Sequence, residues 1–230
     1  MTAQPQKPPK AINLADQIYQ QLKGEIFAFK LLPSDRFSEG ELATRLGVSR
    51  TPIRQALYRL QQEGYVDVAF RSGWQVCPFD FAHFEALYDV RIVLEKEAVS
   101  RLCQQHLALP HAIHQLAAIW QVEPDQRLTD EQALADLDEQ FHVQLVHAAG
   151  NPVMSQMHQQ LTEKIRIIRR LDFTQPDRIN ATYQEHAQIL SWIQQGNMLA
   201  AQHALQEHIQ QSKSAVRQIT LHRLQSARQA

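Results

Sequence analysis

The stretch Gly47-Val-Ser-Arg-Thr-Pro-Ile-Arg-Gln-Ala-Leu-Tyr-Arg-Leu-Gln-Gln-Glu-Gly64 decides how the chain is read. At 100° per residue, Ile53, Ala56, Leu57 and Leu60 fall in one arc, and Arg50, Thr51, Arg54 and Tyr58 fall on the opposite side. The pattern predicts a short helix with one face packed and a basic face presented. Ser49 or Thr51 can cap its N-terminus, Pro52 sits in the first turn where its missing N–H costs little, and Gly64 ends it. Upstream, Ser38-Glu-Gly-Glu-Leu-Ala-Thr-Arg-Leu46 reads as a shorter helix with Leu42, Ala43 and Leu46 inward, joined through Gly47-Val48. Helix, tight turn, helix is the arrangement that lays a second helix into a DNA major groove.

Outward from this pair, Leu14, Ile18, Leu22, Ile26 and Phe29 repeat at helical spacing and predict a first helix packed beneath the other two. Leu31-Leu-Pro-Ser-Asp-Arg36 is a turn-rich connector. Tyr65–Val68 and Trp74–Val76 are short β-type runs joined through Ala69-Phe-Arg-Ser-Gly73, a hairpin with Arg71 near its tip. Met1 to Lys10, rich in Gln, Pro and Lys, reads as a flexible tail, and Cys77-Pro-Phe-Asp80 as a linker.

The run Leu42-Ala43, Leu46-Gly-Val-Ser-Arg-Thr-Pro52, Arg54, Ala56-Leu57, Leu60 and Glu63-Gly64 resembles the winged helix-turn-helix of the GntR family of bacterial transcription regulators, over residues 11–78. Two positions depart from the family's pattern: Gln55 where Glu is frequent, and Gly40 where a basic residue is common nearby. The resemblance implies double-stranded DNA as partner, with Gly73 of the wing approaching the minor groove; Arg50 and Arg54 are expected at guanine edges or phosphates, Thr51 at a base or phosphate and Arg45 at a phosphate, with Ser49 and Arg71 as further DNA-binding candidates. A winged helix that binds only protein is the bland alternative.

The formal net charge of −1 conceals an asymmetry. Through Pro78 ten Lys and Arg face seven Asp and Glu, whereas the remainder carries thirteen against seventeen. The basic end holds the presented helix, and the clustering around residues 45 to 59 matters more than the sum. No apolar run reaches the roughly 18 residues of a membrane span, so a cytoplasmic protein without membrane contact is expected. Cys77 and Cys103 show no CxxC spacing and suggest neither a disulfide framework nor a thiolate metal site.

Beyond Phe81 the pattern is helical only. Helices are expected near 81–106, 110–121, 129–149, 152–171, 177–195 and 197–225, broken at Pro110, Pro124, Gly150-Asn-Pro152, Pro176 and Gly196-Asn197. The fold class is mainly α: a winged helix-turn-helix of three helices plus a small β wing, then an all-α antiparallel bundle over 79–225.

The chemistry lies in polar residues that point inward. Asp138 and His142, four residues apart, lie along the edge of the stripe Leu134, Leu137, Phe141, Leu145 and Ala148. His186 sits within the stripe of Ile179, Tyr183, Leu190 and Ile193, and His208 borders that of Leu205, Ile209, Ser212 and Ile219. One carboxylate and three imidazoles suit a borderline divalent cation, zinc first, with nickel or manganese as alternatives. Each histidine alone is ordinarily just hydrogen-bonded in a core, and His111, His114, His147, His158 and His203 are read that way or as surface.

Tyr88-x-x-Arg91-x-x-x-Glu95, Asp138-x-x-x-His142, Ala149-Gly-Asn-Pro152, Glu185-His186 and His208 resemble the FCD ligand-binding domain of the FadR subfamily over residues 80–222. The resemblance implies a divalent metal on Asp138, His142, His186 and His208 at the base of an effector pocket. Arg91, central in the stripe of Phe84, Leu87, Leu94, Ala98 and Leu102, aims a guanidinium into the bundle. It either closes an ion pair with Glu95 or binds a small carboxylate effector, with Arg166, Arg169 and Arg170 as further candidates. The expected protein is a homodimeric repressor-type regulator on a palindromic operator, not an enzyme. A metal-dependent enzyme in the bundle, or a purely structural metal, are the other readings.

Overall fold

The structure is a computed structural model that describes residues 13–28, 30–69, 73–78, 80–169 and 176–229. The expected tail, Phe29, Arg71 and Arg170 lie outside the described residues, as does the Ile219 side chain. The chain divides between Phe79 and Asp80 into two compact units.

In the first unit α1 (Leu14–Phe27), α2 (Glu39–Leu46) and α3 (Arg50–Gln62) surround one core. Ala15, Ile18, Tyr19, Leu22 and Ile26 of α1 meet Ile53, Ala56, Leu57 and Leu60 of α3, all buried. A capping box starts α2: Ser38 Oγ accepts from the Glu41 N–H at 3.1 Å and the Glu41 carboxylate accepts from the Ser38 N–H at 2.7 Å. Gly47 then turns left-handed, at φ 67°, and redirects the chain into α3. Ser49 holds the N-cap position of α3 by its backbone, but neither it nor Thr51 supplies the expected cap, since the Ser49 side chain makes no cap hydrogen bond and Thr51 lies within the helix. Both residues are exposed.

The β part is a three-stranded antiparallel sheet in the order β1 (Arg36–Phe37), β3 (Gly73–Val76), β2 (Val66–Ala69). Register pairs Val66 with Val76 and Val68 with Trp74 on one side of β3, and Phe37 with Trp74 on the other. β1 lies in what reads as a connector, because two residues are too short to display alternation. Gly73 is where the sheet closes: its φ is +85°, and a Cβ would stand 2.7 Å from the Phe37 carbonyl oxygen.

The second unit is all-helical: α4 (Phe81–Gln104), α5 (His111–Trp120), α6 (Glu131–Ala148), α7 (Pro152–Arg169), α8 (Pro176–Gln194) and α9 (Met198–Gln229). Gly150 stops α6 at positive φ, and Asn151 Oδ1 accepts from the Val153 and Met154 N–H groups at 3.1 Å to start α7. α4 packs on α6, α7, α8 and α9, and α5 on α6 and α8. The inward arc of α4 is rotated from the expected one. Phe84, Leu87 and Leu94 are only half-buried, while Tyr88, Arg91, Glu95, Ala98, Val99 and Leu102 are buried. The apolar count favours the first arc; charge pairing inside the bundle selects the second. Among the described residues no helix is long and apolar enough to cross a membrane.

Candidate metal centre and DNA-reading face

Helical spacing puts Asp138 and His142 on successive turns of α6, and α8 and α9 bring His186 and His208 against them. All four residues are buried, and one donor atom from each lies within 4.8 Å of the other three. His208 Nε2 is 3.2 Å from His142 Nε2 and 3.3 Å from His186 Nε2. Asp138 Oδ1 is 3.6 Å from His142 Nε2 and 3.4 Å from His186 Nε2. Ligands held about 2.0–2.1 Å from one zinc ion in a tetrahedral site stand about 3.3–3.4 Å apart; these four separations are close to that, while the set as a whole spans up to 4.8 Å, more open than a closed tetrahedron. Asp138 Oδ1 has no hydrogen-bond partner, which is costly for a buried carboxylate oxygen unless a cation meets it.

The surrounding shell fixes the tautomers. Glu95 Oε2 accepts from His142 Nδ1 at 2.6 Å, and Glu185 Oε2 accepts from His208 Nδ1 at 2.6 Å. A carboxylate acceptor requires the proton on Nδ1, which leaves the lone pair on Nε2 facing the centre. His186 is held differently, by a stacked Phe141 ring at 3.7 Å and an edge-on Trp120 ring at 4.2 Å. Burial, reinforced by the Arg91 charge, pushes His142 down to about 4. Burial and the neighbouring His208 hold His186 well below its ordinary value. Both are therefore neutral at physiological pH, the form that binds metal. Burial alone would raise the Asp138 carboxyl, but the Arg169 guanidinium and the His142 contact outweigh it and keep it well below the usual range.

Arg169 is one of the residues sequence reasoning undervalued. It is buried, and its Nε and one Nη donate to Asp138 Oδ2 at 2.9 and 2.6 Å, which leaves Oδ1 to face the imidazoles. His158 is a hydrogen-bonded core histidine, its Nε2 donating to Glu95 Oε1 at 2.9 Å. The detectable signal was the spacing of His158, Thr162, Ile165 and Arg169, which run along one face of α7. Glu95 is the hub. Besides His142 and His158 it takes Arg91, whose Nε donates to Oε1 at 2.7 Å. Burial opposes its ionisation, but the Arg91 charge and the His142 contact hold it well below the usual carboxylate range. Glu95 is thus fully occupied and is not a spare base. The Arg91–Glu95 pair is real but incomplete: both terminal nitrogens of Arg91 are buried without a hydrogen-bond partner.

On the first unit Arg45, Ser49, Arg50, Thr51, Arg54 and Tyr58 are all exposed. Two of the arginines are held within the unit. Arg54 makes a forked pair with Glu39 of α2 at 2.9 and 2.8 Å, and Arg45 meets Glu25 of α1 at 2.6 Å. Exposed pairs of this kind contribute about 0–1 kcal/mol, so phosphate or base oxygens can replace the carboxylates at low cost. The Arg50 guanidinium lies over Gly40, within 3.3 Å of where a Cβ would be. Gly73 has the structural reason already given, and that reason is independent of DNA.

Comparison with known proteins matches residues 86–211 to the model of the FCD domain and residues 14–76 to that of bacterial regulatory proteins of the gntR family. The HTH-type transcriptional regulator YdhC of Bacillus subtilis is 29% identical over 196 residues, covering 82% of this chain and 85% of YdhC. The Nta operon transcriptional regulator of Aminobacter aminovorans is 31% identical over 164 residues, 71% of this chain and 76% of the relative. Among solved structures, that of Lar, which controls expression of the Listeria monocytogenes agr system, superposes with a TM-score of 0.67 at 21% identity over 91% of this chain and 99% of that one.

Proposed function

We propose, from the premise that this chain belongs to the gntR family of bacterial regulatory proteins and carries an FCD domain, that a small organic acid bound at a divalent metal in its helical unit governs its affinity for DNA. It is a DNA-binding transcriptional regulator, and the families it matches are regulators rather than enzymes. The observation that carries the finer reading is Arg91: a fully buried guanidinium with two unpartnered nitrogens, one carboxylate removed from a ligand-ready Asp and three imidazoles. A buried cation left half-satisfied favours an anion that completes it.

Asp138, His142, His186 and His208 would hold the ion, zinc first and nickel or manganese next, and the ion would supply a positive centre for an acid oxygen. Glu95 and Glu185 keep the imidazole lone pairs aimed at it, and Arg91 receives the acid. On DNA, Arg50 and Arg54 meet base edges or phosphates, Thr51 and Ser49 the backbone or a base, Arg45 a phosphate, and Arg71 and Gly73 the minor-groove side. The protein acts as a homodimer on a palindrome in the cytoplasm, as a repressor, so that two reading helices meet successive major-groove faces.

The test is elemental analysis of purified full-length protein. Wild type is expected to carry close to one equivalent of divalent metal per chain and His142→Ala none. Equal metal content in the two proteins would remove the site.

A further inference from the structure

Counting charge in the bundle interior identifies the kind of acid. Among the described residues the buried charge-bearing groups other than histidine are Arg91, Arg169, Glu95 and Asp138, two cations against two carboxylates. They form one connected cluster. Arg91 pairs with Glu95, Glu95 with His142, His142 faces Asp138, and Asp138 pairs with Arg169. At its edge the half-buried Arg178 and Arg166 meet Glu185 and Glu139, and the count is confined to the fully buried groups. Histidines can add only positive charge. Among the described residues, a divalent ion at Asp138 therefore leaves this fully buried set with a surplus of two positive charges, and uncompensated buried charge is expensive.

The hydrogen-bonding capacity left over has the same sense. Both terminal nitrogens of Arg91 and one of Arg169 are buried donors without acceptors. The Thr162 hydroxyl, one turn from His158 on the same face of α7, is likewise buried and unpartnered. A single carboxylate bridging metal and Arg91 would cancel half the surplus and leave other donors empty.

We infer that the ligand of this centre is a compact dianion with two acidic groups, a dicarboxylate or its hydroxylated relative, one group meeting the metal and the other the open fork of Arg91. This rests on the reading that an anion binds beside the metal, and it adds a requirement for the second charge. Planar forks pair bidentately with carboxylates, so the second group is recognised by shape as well as charge.

The experiment is calorimetric titration of metal-loaded full-length protein with acids matched in length and differing in charge: succinate, malate and tartrate against butyrate and 3-hydroxybutyrate. Dianions are expected to bind at least tenfold more tightly than the monoanions, and Arg91→Lys, which keeps the charge and loses the fork, to shrink that ratio at unchanged metal content. Equal affinity of succinate and butyrate for the wild type overturns the dianion while leaving the anion site standing, and needs no variant to fold. A ratio undiminished in Arg91→Lys overturns the assignment of the second group to Arg91. No binding by any of the five acids overturns the anion reading and this inference together.

Discussion

At the residue scale the helical unit is organised by what its carboxylates touch. Glu185 is the more accessible of the two that hold imidazoles, its side chain 22% exposed, so its role can be tested without breaking the core. Glu185→Gln is expected to lower metal affinity about 10–100-fold, the usual cost of losing such a support, in a competition titration against a chelator. An unaltered affinity would mean that His208 is oriented by packing alone. Glu95→Gln should behave differently, because it also strips Arg91 of its buried partner. It is expected to destabilise the helical unit by about 3–5 kcal/mol in denaturant unfolding. The inward placement of Asp138, His142, His186 and His208 was legible in the sequence, because each falls on or beside an apolar stripe of its own helix. Glu95 as hub and Arg169 as clamp were not. The Arg91–Glu95 pair, one turn apart on α4, could be read, and spacing puts Arg169 on the face of α7 that carries His158; but His142 and His158 for Glu95, and Asp138 for Arg169, come from other helices, and a spacing rule within one helix carries no information about what faces it.

At the scale of elements, α3 presents its basic face as its periodicity requires, yet Arg54 is shared with Glu39 from α2. Arg54→Ala is expected to weaken operator binding by about 1–3 kcal/mol at fixed salt. Glu39→Gln should move it the other way, tightening binding by up to about 1 kcal/mol at low ionic strength, since it removes both a competitor for Arg54 and a negative charge beside the phosphates. Weaker binding by Glu39→Gln would show that the pair positions Arg54 rather than occupying it. The wing tests another point. Gly73→Ala would force a Cβ against the Phe37 carbonyl at a φ of +85°, and should lower the melting temperature of the N-terminal unit whether or not DNA is present. The helices and the β2–β3 hairpin could be read from periodicity and turn residues. β1 could not, being two residues long, and the rotation of α4 could not, because it follows from ion pairing across the bundle.

At the scale of the whole molecule the chain joins two chemistries: a helix-turn-helix unit whose exposed Arg45 and Arg54 are held in weak internal pairs, and a helical unit whose buried charges are left incomplete. Regulation requires that completing the second change the affinity of the first, a coupling typically of about 5- to 150-fold. The direct measurement is operator affinity, on a fragment selected by the protein from genomic DNA, with and without the bound acid, for metal-loaded and metal-stripped protein at the same salt. The acid is expected to shift the affinity of the loaded protein within that range and leave the stripped protein unmoved. An equal shift in both, or none in the loaded protein, would contradict a regulator that senses its ligand through the metal.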